Sequence, residues 1–244
     1  MSLWPQGFGR LQYDELDSTN SEARRLAENG AQVPVWISAT RQTAGRGRRG
    51  RSWESSAGDL AATLLLRPKV QPSAIGQLSF VTALAAADTA VHFAPAAAIT
   101  LKWPNDVLAD GKKLAGILLE GGKDASGAWL AIGVGMNLAH CPQGTEFPAT
   151  SLAQLGLGVP PAEQALAVLA ASFAHWYDAW MKDGFEIVRT AWLARASGLG
   201  APIRARLAGQ EIRAGLFEGI DEGGALLLND GAGIRAIAAG EVFF

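Results

Sequence analysis

The chain has 244 residues, enough for one large domain or two unequal ones. Hydrophobic residues make up 49% and charged residues 18%, which excludes a disordered chain and a highly charged coiled coil. Its 21 basic and 23 acidic residues leave a formal net charge of −2, so the chain does not hold nucleic acid by bulk charge. The single cysteine, Cys141, excludes an intramolecular disulfide and a multi-cysteine zinc or iron–sulfur site. The opening run MSLWPQGFGR carries no apolar signal segment. The greasiest stretch, 83–99, is broken by Asp88, His92 and Pro95, so no membrane span is expected and the chain reads as soluble and cytoplasmic.

In chain order, residues 10–16 read as a short strand. DSTNSEARRLAENG (17–30) follows as a helix, with a capping-box pattern at Thr19 and Glu22 and a glycine stop at Gly30. VPVWISA (33–39) and LAATLLL (60–66) are strands. The polar, glycine-rich segment between them has no helical periodicity. Pro72 opens a long helix reaching about His92. ITLKW (99–103), KLAGILLE (113–120) and AWLAIGVGMNL (128–138) are apolar runs of strand length, and helices are expected at about 161–182 and 185–196. Near Gly198 the character changes. IRARLAG (203–209), EIRAGLFEGI (211–220), GALLLND (224–230), GIRAIAA (233–239) and EVFF (241–244) read as short strands split by Gly, Asn and Asp turns. Strands before, between and after helices argue an α+β chain, with a compact β unit packed on a larger domain.

The strongest chemical signal lies between Arg41 and Trp53. Arg41, Arg46, Arg48, Arg49 and Arg51 are about a quarter of all 21 basic residues, interleaved with glycine. A neutral chain that concentrates arginine this way is built to meet an anion. The guanidinium fork suits phosphate or carboxylate, and glycine lets backbone N–H groups approach a ligand. The bland alternative is a solvated charged loop. G-R-G-R-R-G formally matches a dinucleotide fingerprint, but no helix follows it, so that reading fails. A second cluster lies in LKWPNDVLADGKKLAG (101–116), where lysines, an amide and carboxylates gather around one strand–turn–strand. Asn105 can pair with a base edge and a lysine can neutralise a phosphate, although Asn and Asp there also suit plain turn chemistry. The third is Asn137, delivered by an apolar strand. His92, His140 and His175 show no metal spacing, and no Ser/His/Asp arrangement is evident.

Taken together, these segments resemble the biotin protein ligases of the biotin–[acetyl-CoA-carboxylase] ligase type. DSTN (17–20), RQTAGRGRRGRSW (41–53), KWPND (102–106), KLAGIL (113–118) and GVGMNL (133–138) stand in the family's order and spacing. GIDEGGALLLND (219–230) resembles part of the family's small SH3-like domain. The resemblance implies a mixed-sheet catalytic domain of the biotin/lipoate ligase type over 1–198 and a C-terminal SH3-like β-barrel over 199–244. It implies an ATP-dependent ligase that forms a C–N bond. Biotin and ATP give biotinyl-5′-AMP, and biotin then passes to a lysine of the biotin carboxyl carrier protein of acetyl-CoA carboxylase or another biotin carboxylase. Attack of a carboxylate on a triphosphate brings like charges together, so fixed cations and Mg²⁺ are required. The mixed anhydride hydrolyses easily, so a loop that closes over it is useful.

Carried onto this chain, the resemblance places Ser18, Thr19, Asn20 and Gln42 around the biotin head. Arg46, Gly47 and Arg48 meet biotin or the acyl phosphate, and Gly116 belongs to the biotin side. Lys113 touches the biotin carboxylate and the α-phosphate, and with Arg48 it is the catalytic choice. Arg46, Arg48, Arg49, Arg51, Trp53, Lys102, Asn105 and Asn137 go to ATP, and Asp106 to Mg²⁺. Lys112 is the solvent-facing neighbour of Lys113, because successive strand residues point to opposite faces. Some members stack a tryptophan on adenine. Here that region reads EFPATSLAQLG (146–156), which makes Phe147 the candidate. Longer members carry an N-terminal helix-turn-helix. Only about sixteen residues precede DSTN here, so a short form without specific DNA binding is expected, monomeric or weakly dimeric. Two other readings stay open. A lipoate-type ligase or acyltransferase shares the fold but lacks GRGRRGRSW and normally the small barrel. A nucleic-acid-binding module would need aromatics or a recognition helix and a wider basic surface.

Overall fold

The computed structural model describes residues 4–207 and 210–244. Strand β1 (Gly9–Leu16) leads into helix α1 (Thr19–Glu28) and strand β2 (Val35–Gln42). After the arginine loop come β3 (Leu60–Leu66), α2 (Leu78–Phe93), β4 (Ile99–Lys102), β5 (Asp106–Ala109), β6 (Lys112–Asp124) and β7 (Gly127–Met136). These seven strands form one sheet in the order β1-β2-β3-β7-β6-β5-β4. β1 and β2 are parallel, because the crossover helix α1 joins them, and every other pair is antiparallel.

Both faces of the sheet centre are covered, which explains why LAATLLL is apolar throughout. Val35, Ile37 and Leu65 pack with Ala23 and Ala27 of α1. Their neighbours Trp36, Leu64 and Leu66 face the opposite way, into the main core under α2 and helix α3 (Ala162–Asp183). Pro72–Phe93 is long and apolar enough to cross a membrane by composition, but α2 is a core helix, with Leu78, Val81, Leu84, Ala85, Ala86 and Ala87 fully buried. Its expected first turns are a separate 3-10 segment, Pro72–Gln77.

Helix α4 (Phe185–Leu193) ends three residues before the expected position, and its exit strand-pairs with β4: Leu101 N–H donates to the Arg195 carbonyl, 2.8 Å. The C-terminal region forms β8 (Pro202–Arg206), β9 (Ile212–Ile220), β10 (Leu226–Asn229), β11 (Ile234–Ile237) and β12 (Glu241–Phe243). They pair antiparallel in the order β11-β10-β9-β8-β12. All five expected strands are present; residues 208–209, the end of IRARLAG, lie outside the described residues. The architecture changes between α4 and β8, but the core does not stop there. Ile203, Ala205, Phe217, Ile220, Leu226 and Val242 belong to the same apolar cluster as α2 and the central sheet. Trp103 Nε1 donates to the Gly224 carbonyl across the seam, 3.0 Å.

Two local expectations differ. The capping box does not form: Ser18 is the N-cap of α1, and its side chain makes no cap bond. Glu22 is taken by Arg25 at 2.6 Å and the Tyr13 hydroxyl at 3.3 Å. The second difference is β5, four residues of strand inside what reads as one long turn.

Candidate active site

The ends of β2, β3, β6 and β7, the first turn of α1 and the arginine loop enclose a cavity of about 460 Å³. Most of the sequence-predicted residues meet there: Ser18, Thr19, Asn20, Gln42, Arg46, Gly47, Arg48, Arg51, Trp53, Lys102, Asn105, Asp106, Lys113, Gly116 and Asn137 all line it.

One end is polar and mostly buried. α1 starts with Thr19 and Asn20 turned inward, both about 5% exposed or less. Gln42 Oε1 accepts from the Thr19 backbone N–H at 2.8 Å and lies 3.1 Å from its hydroxyl. Thr63, fully buried in β3, places its hydroxyl 2.6 Å from Asn20 Oδ1 and 2.7 Å from the Thr19 hydroxyl. Asn20 Nδ2 donates to Glu120 at 2.8 Å, and Glu120 also accepts from Arg46 at 2.8 Å. The Arg46 guanidinium donates to Ser21 as well, 2.6 Å. Ahead of the helix, Asp17 accepts from the Ser18 N–H at 2.7 Å, and its hydrogen bond to Arg25 holds its carboxyl down at about 2. The result is a hydrogen-bonded chain of amide and hydroxyl groups, tied at one end to the Arg46–Glu120 ion pair and suited to a polar, uncharged head group.

The other end is cationic. Lys102, 3% exposed, sits with Nζ 2.9 Å from the centroid of Phe147 and 3.7 Å from Asp106 Oδ2. Burial pushes its pKa down to about 7; Asp106 opposes the shift, while Lys113 and Arg51 add to it. Lys113 reaches the other Asp106 oxygen at 2.6 Å. Lys112 is exposed, as strand alternation requires. Arg48 is half-buried and donates to Asn105 Oδ1 at 3.3 Å, and Asn105 in turn donates to the Ile117 carbonyl at 2.7 Å. Burial, then the charges of Arg49 and Arg51, push the Arg48 pKa down. Between the two ends lies the Trp53 indole. It rests on Gly135 so closely that a Cβ there would stand 2.5 Å from Trp53 Cζ2. The loop that carries it is a closed hairpin: the Gly47 N–H donates to the Arg51 carbonyl at 2.7 Å, and the Trp53 N–H to the Gly45 carbonyl at 2.9 Å.

Four of these residues have partners that the sequence did not show. Arg49 does not reach the cavity; it points to the C-terminal sheet, 3.4 Å from the Arg206 carbonyl and 3.6 Å from Glu241. Arg51 lines the cavity but is ion-paired with the same Glu241. Asn137 spends its amide on the Thr150 carbonyl, 3.0 Å, and the Lys113 carbonyl, 3.4 Å. Asp106 stands against two ammonium groups, and no cluster of three metal-ligating side chains exists among the described residues. Those partners make Asp106 a counter-ion and do not fit a divalent-cation site. Phe147, the adenine candidate, is stacked on Phe243 at 4.9 Å with its other contact on Lys102. Sequence reasoning missed Thr63, Glu120, Ser21 and Glu241. Thr63 is the single polar residue in an apolar strand, a signal that was present; Glu241 has no local signal at all.

A neutral polar pocket joined to a cationic end, made of buried Lys102 and half-buried Lys113 and Arg48 under a glycine–arginine loop, suits a ligase that condenses an organic acid with a nucleotide. Residues 14–137 match the biotin/lipoate A/B protein ligase family, and residues 198–244 match the biotin protein ligase C terminal domain. The chain is 47% identical to the biotin–[acetyl-CoA-carboxylase] ligase of Paracoccus denitrificans, covering 93% of this chain and 97% of that one. It is 34% identical to the protein of the same name from Mycobacterium tuberculosis, covering 97% and 90%. Its fold superposes on the biotin protein ligase from Aquifex aeolicus in complex with biotin and ATP with a TM-score of 0.83, at 28% identity over 96% of this chain and 97% of that one. The chain belongs to the biotin/lipoate A/B protein ligase family.

Proposed function

We propose that this cavity activates biotin with ATP and passes it to a lysine of a biotin carboxyl carrier protein. The observation that carries the reading is the position of Lys113, which bridges the neutral pocket and the cation row, 2.6 Å from Asp106. The biotin head occupies the Thr19–Asn20–Gln42 pocket, where fixed amides and hydroxyls match a ureido group. Its carboxylate then lies at Lys113, and the α-phosphate of ATP beside Lys113 and Arg48. Carboxylate oxygen attacks phosphorus, the bond to the β-phosphate breaks, and pyrophosphate leaves. Lys102, Lys113 and Arg48 offset the charge that moves to the leaving group. In the second step the carrier lysine amine attacks the acyl carbon and AMP leaves. The reading places the enzyme in the cytoplasm with its carrier. No step is routed through a metal at Asp106, because two lysines already hold that carboxylate.

The match of residues 198–244 to the biotin protein ligase C-terminal domain speaks against a lipoate enzyme. Against the nucleic-acid reading stands the pairing of four of the five loop arginines, Arg41 with Glu15, Arg46 with Glu120, and Arg49 and Arg51 with Glu241. Pyrophosphate exchange into ATP tests all three. Exchange that requires biotin, with neither lipoate nor the absence of acid supporting it, is expected. Equal exchange with lipoate overturns the substrate assignment.

A further inference from the structure

The segment 138–150 leaves the end of β7 and arches over the cationic end of the cavity, contributing Pro142, Thr145, Glu146 and Phe147 to its wall. Its far end is stitched to the strand of Lys113. The Lys113 N–H donates to the Pro148 carbonyl at 2.8 Å, and the Thr150 N–H to the Lys113 carbonyl at 2.9 Å. Its near end turns on one side chain. Asp59, 6% exposed, sits just before β3, and a single oxygen, Oδ1, accepts from three successive backbone N–H groups: Leu138 at 3.0 Å, Ala139 at 2.9 Å and His140 at 2.9 Å. Its other oxygen is 3.4 Å from His140 Nδ1. Gly58 makes the approach possible: its φ is +99°, and a Cβ there would stand 3.1 Å from that of Ala139.

Three N–H groups converging on one carboxylate form an anion nest, and each bond is charge-assisted. The arrangement is costly to break, because removing the acceptor leaves three donors in a half-buried turn without a partner. Asp59 itself is not part of the cavity lining. It acts on the cavity through the arch, whose Phe147 ring seats the Lys102 ammonium.

We propose that Asp59 is a positioning residue for the nucleotide half of the reaction: it holds the arch 138–150 so that Phe147 and Lys102 keep their places. The inference rests on ATP binding at the cationic end. It adds that a residue outside the cavity sets nucleotide affinity while acid affinity stays unaffected, because the Thr19–Asn20–Gln42 pocket shares no hydrogen bond with Asp59.

The test uses the full chain and measures biotin-dependent pyrophosphate exchange for the wild type, Asp59→Ala and Asp59→Asn. Biotin affinity is measured separately by calorimetry without nucleotide. Asp59→Ala is expected to raise KM for ATP about tenfold or more and to lower kcat, with biotin affinity within about twofold. Asp59→Asn keeps an acceptor oxygen and loses the charge, so its KM for ATP should rise only about two- to threefold. No exchange in the wild type overturns the functional reading and this inference with it. Normal wild-type exchange with an unchanged KM for ATP in Asp59→Ala, or an equal rise for biotin, overturns this inference alone. If Asp59→Ala does not fold, Asp59→Asn decides, and an unchanged KM for ATP there counts against the role.

Discussion

Lys102 allows the electrostatics of the cavity to be measured directly. Its pKa is held at about 7 by burial, so at pH 8 roughly a tenth of the unliganded molecules carry the charge. A phosphate oxygen about 4 Å from the amine contributes about 4 kcal/mol at an effective dielectric of 20, which is about three pKa units. That restores Lys102 to nearly full charge. Binding of a non-hydrolysable ATP analogue at pH 8 should therefore take up about 0.9 proton, and at pH 6 only about 0.1. Calorimetry in two buffers of different ionisation enthalpy reads the uptake. Lys102→Arg, charged throughout, is the control; the titration of the nucleotide's own phosphates is common to both proteins and cancels. Equal uptake in wild type and Lys102→Arg at pH 8 would refute the placement of phosphate beside this amine.

Lys113→Ala should slow adenylation about 10²- to 10⁴-fold, and Lys112→Ala should have little effect; equal losses in a pyrophosphate-exchange assay would contradict the strand parity. Arg48→Gly removes the cation that bonds Asn105 in the closed loop. Biotinyl-AMP should leak and label lysines of a bystander protein, so retention at the wild-type level would show that the loop is not a lid. Gly135→Ala drives a methyl into the Trp53 indole and should cost about 1–3 kcal/mol of stability, read by denaturant titration; a silent substitution would mean that Trp53 is not seated on β7.

Much of this molecule can be read from its amino acids, and the failures have physical causes. The long periodic or apolar segments, α2, α3, β3 and β7, are legible because burial dictates their pattern. β2 runs on to Gln42, beyond the expected end at 39, because Arg41 and Gln42 look like loop while pairing with β1. β5 is too short and too closely flanked by Asn, Asp and Gly to show any periodicity. At the site, the residue types and the loop were legible, but the partners were not. Nothing in the arginine loop says that Arg46 turns to Glu120 while Arg49 and Arg51 turn to Glu241; that choice is made by strands far away in sequence. Asp106 looks like a metal ligand only while its neighbours are read one at a time. Lys102 and Lys113 converge on it only after β4, β5 and β6 pair.

The C-terminal region contributes Glu241 of β12 to the cavity wall and, from the β9–β10 connection, the Gly224 carbonyl to Trp103, the neighbour of Lys102. This limits how relatives can be recombined. A chimaera joined at the change of architecture after α4 inherits an arginine loop from one parent and its acidic counterweight from the other, and sets the tryptophan turn of one parent against the β9–β10 connection of the other. Such a hybrid keeps every segment of the motif set yet has two seams whose halves come from different parents. Exchange is tolerated where the loop and β12, and the Trp103 turn and the β9–β10 connection, travel as linked pairs.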